Sequence, residues 1–242
     1  MLQIFSKEFS SFLNSLIAYV VIGVFLLAVG LLMWVFPDSS VLDYGYADMS
    51  TLFSLGPYVL IFLIPAITMR SFSEEKKGGT MELLFTKPLT DWDIVMGKFL
   101  ASFALVMLAL LPTLVYYYSL YSLGNPKGNI DTPGVIGSYI GLAMLAATFC
   151  AIGVMASSLS ANQIVAFIMA AFLCYLSFAA FDAISAFDVF GSGALGVKQL
   201  GLLFHYESMS RGLIDSRDLV YFASVIFLAL SLTKLILGSR QW

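Results

Sequence analysis

Long uncharged runs alternate with short polar connections along the whole chain. Six runs carry almost no charged side chain, and they cover residues 16–36, 52–69, 99–123, 134–155, 164–181 and 219–237. At about 1.5 Å of helix rise per residue, each run is long enough to cross a hydrocarbon core of ~30 Å. The pattern therefore predicts an all-α integral membrane protein, in which residues 1–242 form a single membrane domain with six transmembrane helices.

Residues 1–14, before the first run, have an amphipathic pattern. Apolar side chains recur at helical spacing, at Leu2, Phe5, Phe9 and Phe12. Polar side chains fall largely on the opposite side, at Ser6, Lys7, Ser10 and Ser11. This pattern predicts an interfacial helix that lies in the membrane surface, and an N-terminal extension of the first span is the alternative.

Residues 70–98, here named the charged segment, separate the second run from the third. They hold ten of the 27 charged side chains, so this segment must face an aqueous compartment. Gly78 and Gly79 predict the end of any helix that continues from the second run. Thr80 is then placed to cap a short new helix, with Glu82 in its first turn, where the helix dipole favours an acid.

The charged segment ends in a second capping signal. Thr90 is followed three residues later by Asp93, which resembles a capping box with Asp in place of Glu. This signal predicts the first residues of the third span. A short helix across the ends of two spans would be stiff enough to pass a force into both, whereas an ordinary charged loop would only fix topology.

Composition supports a membrane location and excludes several classes of function. Apolar residues make up 60% of the chain and charged residues 11%, against about 25% charged in soluble proteins. The net charge of -3 gives no reason to expect nucleic acid as a partner. Cys150 and Cys174 both fall inside apolar runs, which is typical of small buried hydrophobes. A single histidine excludes a zinc site built on several histidines.

The distribution of Lys and Arg predicts the orientation. One side of the six predicted spans would carry both termini and eight basic residues, Lys7, Arg70, Lys76, Lys77, Lys87, Lys98, Lys234 and Arg240. The other side would carry four, Lys127, Lys198, Arg211 and Arg217. The positive-inside rule then places both termini and the charged segment in the cytoplasm.

Residues 182–218 form the least regular region. Two apolar stretches, 186–190 and 197–204, are too short to cross a membrane, and the glycine-rich residues 191–196 separate them. Such lengths predict short re-entrant or interfacial helices on the outer side, between the fifth and sixth spans.

Two further patterns predict packing within the spans. Small residues recur four apart in the fourth run, at Gly137, Gly141, Ala143, Ala147 and Ala151, which predicts a close helix–helix contact within or between subunits. Tyrosines cluster about one bilayer thickness beyond Lys98, at Tyr116, Tyr117, Tyr118 and Tyr121. These rings suit an interfacial belt, and stacking against a substrate is the alternative.

The charged segment carries a family resemblance. Arg70, Glu74, Glu75, the run from Gly79 to Leu84, and Pro88 resemble the signature of ABC-2 type exporter permeases. Residues 205–222, HYESMSRGLIDSRDLVYF, are similar to the segment that leads into the sixth span of these permeases. Within the family, the chain most resembles the gliding-motility-associated permease subunit of bacteria that glide on surfaces.

This resemblance implies a partner and a docking site. In that family, the segment between the second and third spans is a coupling helix that docks on an ATPase subunit. The docking residues implied here are Glu74, Glu75, Gly79, Thr80, Met81, Glu82, Leu83, Leu84, Phe85 and Pro88. Two copies of the ATPase and a second permease chain are implied, the latter identical or a paralogue with a large periplasmic domain, in a bacterial inner membrane.

The chain itself has no recognisable means of holding ATP. It contains no G-x-x-x-x-G-K-[ST] loop, so ATP and Mg²⁺ are expected on the ATPase subunit and no cofactor on this chain. The chain is therefore expected not to be an enzyme by itself. The near absence of ionisable groups in the spans argues against an ion-driven carrier or an ion channel.

Two other functions remain open. An intramembrane enzyme would need grouped ionisable side chains, and the one grouping is His205, Glu207 and Asp215 in the outer segment. The chain could also be a non-transporting scaffold subunit that holds a larger membrane complex together.

Overall fold

Helices joined by short turns make up the chain. The computed structural model describes residues 1–43, 47–82, 88–186 and 194–239, and no strand occurs in these ranges. The helices, in chain order, are α1 Leu2–Leu13, α2 Leu16–Trp34, α3 Ser50–Thr68, α4 Arg70–Lys77, α5 Asp91–Leu110, α6 Leu114–Leu123, α7 Thr132–Leu159, α8 Gln163–Tyr175, α9 Phe181–Ser185, α10 Ala194–Lys198, α11 Leu202–Met209 and α12 Ser216–Gly238.

Five helical stretches are long and apolar enough to cross a membrane. They are Ser50–Lys77, Asp91–Leu123, Thr132–Leu159, Gln163–Ser185 and Ser216–Gly238. A sixth is counted if α1 and α2, which are bent by 69° from each other, form one broken span. The predicted all-α class with up to six apolar spans is thus confirmed for the described residues. The surface position of α1 stays a prediction.

Helix α7 is the centre of the bundle. It packs against α3, α5, α8 and α12, and 78% of its most apolar stretch is buried. The corresponding share is only 22% in Gln163–Ser185 and Ser216–Gly238, so these two spans lie at the periphery. Helices pack closely in lipid where side chains are small, and α7 is rich in Gly and Ala.

The small residues of α7 make their close contacts within the chain. A side chain added at Gly137 would lie 2.7 Å from the Cα atom of Gly212, and one at Gly141 would lie 2.7 Å from the Cβ atom of Met209. The predicted close contact is therefore confirmed, and its partner is the segment that leads into α12.

The tyrosine cluster of the third span divides into two groups. The hydroxyl of Tyr116 donates to the carbonyl of Leu26 on α2 at 3.1 Å, and that of Tyr117 bonds the hydroxyl of Thr132 at 2.8 Å. These two rings tie helices together. Two others are exposed and fit the predicted belt, Tyr118 and Tyr121.

Between the fifth and sixth predicted spans, residues 199–201 depart from the predicted short helices. The apolar stretch 197–204 is not one helix, because a turn separates α10 from α11. Gly201 packs in this turn so closely that a Cβ atom there would lie 3.0 Å from that of Phe181. Tyr206 then anchors α11 through its hydroxyl, which donates to the carbonyl of Phe53 at 2.6 Å. Most of the predicted stretch 186–190 lies outside the described residues.

The packing of α7 predicts the effect of a single methyl group. A Cβ atom at Gly153 would lie 2.1 Å from the hydroxyl oxygen of Thr68, a buried β-branched residue on α3. We expect Gly153→Ala to destabilise the protein by about 1–3 kcal/mol through overpacking, measured as a lower melting temperature in detergent. Gly23→Ala on α2 is the control, because no atom lies within 4 Å of its added carbon. Equal melting temperatures for the two variants would contradict this packing.

Candidate functional site

Two polar contacts join helix α4 to the central helix α7: Lys76 donates to the carbonyl of Ser158, and the hydroxyl of Ser157 binds the start of α4. The Oγ atom of Ser157 on α7 accepts hydrogen bonds from the amides of Phe72 at 3.0 Å and Ser73 at 3.2 Å. It donates to the carbonyl of Met69 at 3.0 Å, where the helix breaks between α3 and α4. The first amides of a helix lack partners within it. Ser157 supplies partners for two of them and thereby fixes the start of α4 on α7.

A buried ammonium group joins α4 to α1 and α5. The side chain of Lys98 on α5 is 1% exposed, and its Nζ atom lies 2.9 Å from Glu8 on α1 and 3.0 Å from Glu75 on α4. Nζ also donates to the carbonyl of Ser71 at 2.6 Å. Lys7 lies 3.5 Å from the same carboxylate oxygen of Glu75. We name Lys7, Glu8, Glu75 and Lys98 the Lys98 cluster.

The sequence brings the Lys98 cluster together through the close approach of α1 to α5. Glu8 follows Ile4 by one helical turn, so both lie on the same face of α1. Ile4 packs directly on Gly97, where an added Cβ atom would lie 2.8 Å from that of Ile4. The missing side chain of Gly97 therefore lets α1 approach until Glu8 reaches Lys98.

The formal charges of the Lys98 cluster sum to zero. The Nζ atom of Lys98 donates hydrogen bonds to Glu8 at 2.9 Å and to the carbonyl of Ser71 at 2.6 Å, and it forms an ion pair with Glu75 at 3.0 Å. The second carboxylate oxygen of Glu75, Oε2, is buried and has no hydrogen-bond partner among the described residues. The ring of Phe72 lies beneath the same nitrogen, 5.0 Å from it. Removing one partner from a buried pair leaves an uncompensated charge. The charged side chains on α1, α4 and α5 therefore stay paired only while the three helices are in contact.

The carboxylates of the predicted docking set point in different directions. Glu74 makes a two-pronged contact with Arg70, at 2.9 and 3.1 Å, and its side chain is 52% exposed. Glu75 faces inward and is 14% exposed. In the structure, Glu74 is therefore accessible to a partner, whereas Glu75 is engaged by Lys98.

The predicted helix break is confirmed. Helix α4 ends at Lys77, Gly78 follows as its cap, and Gly79 has a φ of 66°, a conformation that favours glycine. Beyond the break, Thr80 and Glu82 are exposed, and Met81 packs partly against the core. Of the remaining predicted docking residues, Pro88 is exposed, and Leu83, Leu84 and Phe85 lie outside the described residues.

The capping box at the start of α5 is also confirmed. The amide of Asp93 donates to the hydroxyl of Thr90 at 3.2 Å, and the amide of Thr90 donates to the carboxylate of Asp93 at 3.2 Å. Helix α5 therefore begins at Asp91. Residues 78–90 thus lie between the end of α4 and the start of α5, and residues within this segment or next to it determine both boundaries.

At the opposite end of the bundle, His205 pairs with a residue outside the grouping that an intramembrane enzyme would have used. The Nδ1 atom of His205 lies 2.7 Å from Asp218, and Nε2 lies 2.9 Å from the carbonyl of Gln199. Asp215 instead caps α12 by accepting a hydrogen bond from a backbone amide at 2.9 Å. The structure therefore does not assemble His205, Glu207 and Asp215 into one group.

Residues 182–218 contain a second ion pair. Lys198 on α10 lies 2.9 Å from Asp182 on α9. This hydrogen bond raises the pKa of Lys198 above its ordinary value, so the ammonium group stays charged at neutral pH. Within the described ranges, no group of three or more His, Cys, Asp or Glu side chains is arranged to hold a metal ion.

The fold and this site define a multi-pass helical membrane protein with a charged, locally delimited segment between two spans. Residues 2–189 match the family model described as ABC-2 family transporter protein. The match covers well over half of the chain, and the chain belongs to this family. Membership identifies it as a membrane protein of the permease type and implies an ATPase partner. A search of curated proteins finds no significant match.

Sequence analysis missed three residues of this site. Glu8 is the one acidic residue before Asp38, and it falls on the face of α1 that also carries Ile4. An isolated acid on an inward helix face is a signal that a buried cation lies nearby. Ser71 and Ser157 carry no comparable signal, because serine is common in such segments.

The Lys98 cluster predicts a specific pattern of stabilities. Lys98→Met removes the buried shared cation and leaves two largely buried carboxylates with only the exposed ammonium group of Lys7 nearby, which costs about 3–5 kcal/mol. We expect a melting temperature roughly 10 °C lower in detergent. Arg70→Gln is the control, since it breaks an ion pair with the half-exposed Glu74 and should cost no more than about 1 kcal/mol.

A neutral version of the cluster separates charge from packing. Adding Glu8→Gln and Glu75→Gln to Lys98→Met removes the charges of all three buried side chains of the Lys98 cluster. We expect this triple variant to recover most of the lost melting temperature. A triple variant as unstable as Lys98→Met alone would contradict the electrostatic role.

Proposed function

We propose that the chain is the permease subunit of an ABC-2 exporter in a bacterial inner membrane, with both termini in the cytoplasm. In this proposal, the coupling helix that the family resemblance implies lies between residues 79 and 85 of the charged segment and docks on a separate ATPase subunit. The observation that carries this proposal is the Lys98 cluster. Its Glu75 lies on α4 four positions before Gly79, and the cluster joins α4 to α1 and α5. A force applied to residues 79–88 is therefore transmitted to the spans, because the base of this segment is fixed.

The docking surface combines an apolar anchor with charge. The family resemblance of the segment supports Met81, Leu84 and Phe85 as the anchor. Glu82 supplies the outward acid, and its exposure supports this role. Glu74 is a second acid at the surface, and Glu75 acts instead through Lys98.

Force leaves the docking surface by two routes. The first runs from α4 through Lys98 to α5 and α1. The second runs from α4 through Ser157 to α7, which packs against most of the other spans. A small displacement of α4 thus reaches the centre of the bundle, where packed helices exchange between discrete arrangements rather than deforming continuously.

The energy for this movement comes from the partner. ATP and Mg²⁺ are bound by two copies of the ATPase subunit, and this chain contributes positioning and force transmission. A second permease chain, identical or a paralogue, completes the membrane part. The sparse ionisable groups of the spans favour a lipid-like or polypeptide cargo over an ion.

The resemblance to the gliding-motility-associated permease supports a narrower proposal. In this version, the complex transmits force to a partner outside the membrane as part of bacterial gliding. Purification in a mild detergent, followed by identification of the co-eluting proteins, distinguishes the two versions. A second membrane chain with a large external domain favours gliding, and a single type of permease chain favours a plain exporter.

The docking proposal predicts the effect of two substitutions, one that reverses a surface charge and one that places a charge in the apolar anchor. We expect Glu82→Arg and Phe85→Asp each to weaken binding of the ATPase subunit at least tenfold, which corresponds to about 1.4 kcal/mol. Both should also abolish stimulation of ATP hydrolysis in proteoliposomes. Lys127→Glu is the control, because it lies in the exposed turn after α6 at the opposite end of the bundle. Unchanged binding and coupled hydrolysis in both variants would contradict the docking assignment.

A further inference from the structure

At the end of the bundle opposite α4, both ring nitrogens of His205 face acceptor oxygens. Its Nδ1 atom lies 2.7 Å from a carboxylate oxygen of Asp218 in the first turn of α12, and Nε2 lies 2.9 Å from the carbonyl oxygen of Gln199. Both are hydrogen-bond distances. A carbonyl oxygen only accepts hydrogen bonds, and so does an ionised carboxylate. Each contact therefore needs a proton between its two atoms.

A neutral imidazole meets only one of these two requirements. It carries one N–H group and one lone pair, so the lone pair would face an acceptor oxygen at 2.7 or 2.9 Å. An imidazolium carries two N–H groups and donates to both oxygens. In water, imidazole is a stronger base than a carboxylate, so the second proton lies on the ring rather than on Asp218. The contacts of His205 are therefore complete only in its charged form.

The surroundings of the ring favour a cation. The ring of Tyr221 on α12 stacks on that of His205, with centroids 3.9 Å apart and an inclination of 22°, and cations are attracted to the faces of aromatic rings. The side chains of His205 and Asp218 are only 13% and 9% exposed. Water and salt screen a buried pair of charges much less than an exposed one. The charged ring therefore compensates the largely buried carboxylate.

The other charged side chains near this pair are of both signs. Five of them line a cleft of about 1080 Å³ next to His205, namely Lys198, Glu207, Arg211, Asp215 and Arg217. Lys198 is paired with Asp182, and Asp215 caps α12. Helices α3 and α7 and residues 176–180, which also contact α11, carry no charged side chain, and those of α5 lie in its first turns at the α4 end. Within the described ranges, Asp218 is thus the one acid within hydrogen-bond distance of His205.

Three parts of the fold meet at this imidazole. Gln199 belongs to the turn that precedes α11, and Asp218 belongs to α12, the last apolar span. Helix α11 is itself anchored to α3 by a hydrogen bond. The hydroxyl of Tyr221 donates to the carbonyl of Leu200 at 2.5 Å, which is a second contact between α12 and the turn. A single proton on His205 thus decides whether α11 binds both α12 and the turn or only one of them.

We propose that His205 is a proton-dependent switch, which binds the start of α12 and the turn 199–201 to α11 when its ring is charged and releases one of them when the ring is neutral. The two hydrogen bonds favour the charged ring in the folded chain, whereas the unfolded chain leaves it in water. Their stabilising effect is therefore complete at mildly acidic pH and is lost as rising pH removes the ring proton. Histidine ordinarily titrates between about pH 5 and 8, so the cleft beside it responds to proton concentration on the side of the bundle opposite α4. This inference does not depend on the docking of an ATPase subunit.

The protonation of the ring can be measured directly, because His205 is the one histidine of the chain. The unmodified chain, labelled with ¹⁵N-histidine and purified through a tag that contains no histidine, is reconstituted in nanodiscs for nitrogen NMR. We expect two protonated ring nitrogens at about pH 5.5 and one at about pH 9.5. A ring with a bare nitrogen at the lower pH would overturn the inference, and so would a ring that keeps both protons at the higher pH.

Hydrogen exchange tests whether this proton controls the contacts. We expect the amides of residues 199–205 in the unmodified chain, corrected for the intrinsic effect of pH, to exchange at least fivefold faster at the higher pH, because the local structure opens more often. His205→Phe keeps an aromatic ring against Tyr221 but binds no proton, so these amides should exchange fast at both pH values.

Asp215→Asn is the matched control for this exchange experiment. It neutralises an acid of the same cleft that does not contact the ring, and asparagine remains a good helix cap. We expect this variant to keep the pH dependence of the unmodified chain. Equal corrected exchange at the two pH values in the unmodified chain would overturn the inference, as would loss of the pH dependence in Asp215→Asn.

Discussion

A buried ammonium group holds together α4, α5 and the helix α1, which lies far from both in the sequence. Lys98 and Glu8 are 90 positions apart, and the side chain of Lys98 is almost wholly excluded from solvent. An unpaired charge in this environment would be strongly unfavourable. The paired arrangement therefore requires α1, α4 and α5 to be present together. The contact of α1 and α4 with α5 depends on this one nitrogen, whereas the start of α5 is set by its own capping box.

This constraint gives the two ends of the bundle different properties. At the end that carries α4, residues 78–90 are held between a glycine break and a capping box, and their base is fixed through Lys98 and Ser157. The opposite end is held by a hydrogen bond between α11 and α3 and by close glycine contacts of α7 with the end of α11 and the turn that follows it. In the proposed mechanism, the first end receives force and the central helix α7 carries it toward the second.

The parts of this structure that were predictable from the sequence are those with local causes. Apolar runs indicated the helices, Gly78 and Gly79 the end of α4, and Thr90 with Asp93 the start of α5. The contacts of Lys98 were not predictable, because its charged neighbours placed it in an aqueous segment, while its partners are set by the docking of α1. The turn at Gly201 and the pairing of His205 with Asp218 were missed for the same reason. Both depend on contacts between separate helices.

The Lys98 cluster makes α1 and α4 one rigid unit. The most direct measurement is the distance between spin labels at the exposed positions Ser10 on α1 and Lys77 on α4, by double electron–electron resonance in nanodiscs. With Lys98 present, the account predicts a single narrow distance distribution, which broadens in Lys98→Met. An equally narrow distribution at the same distance in both proteins would contradict it.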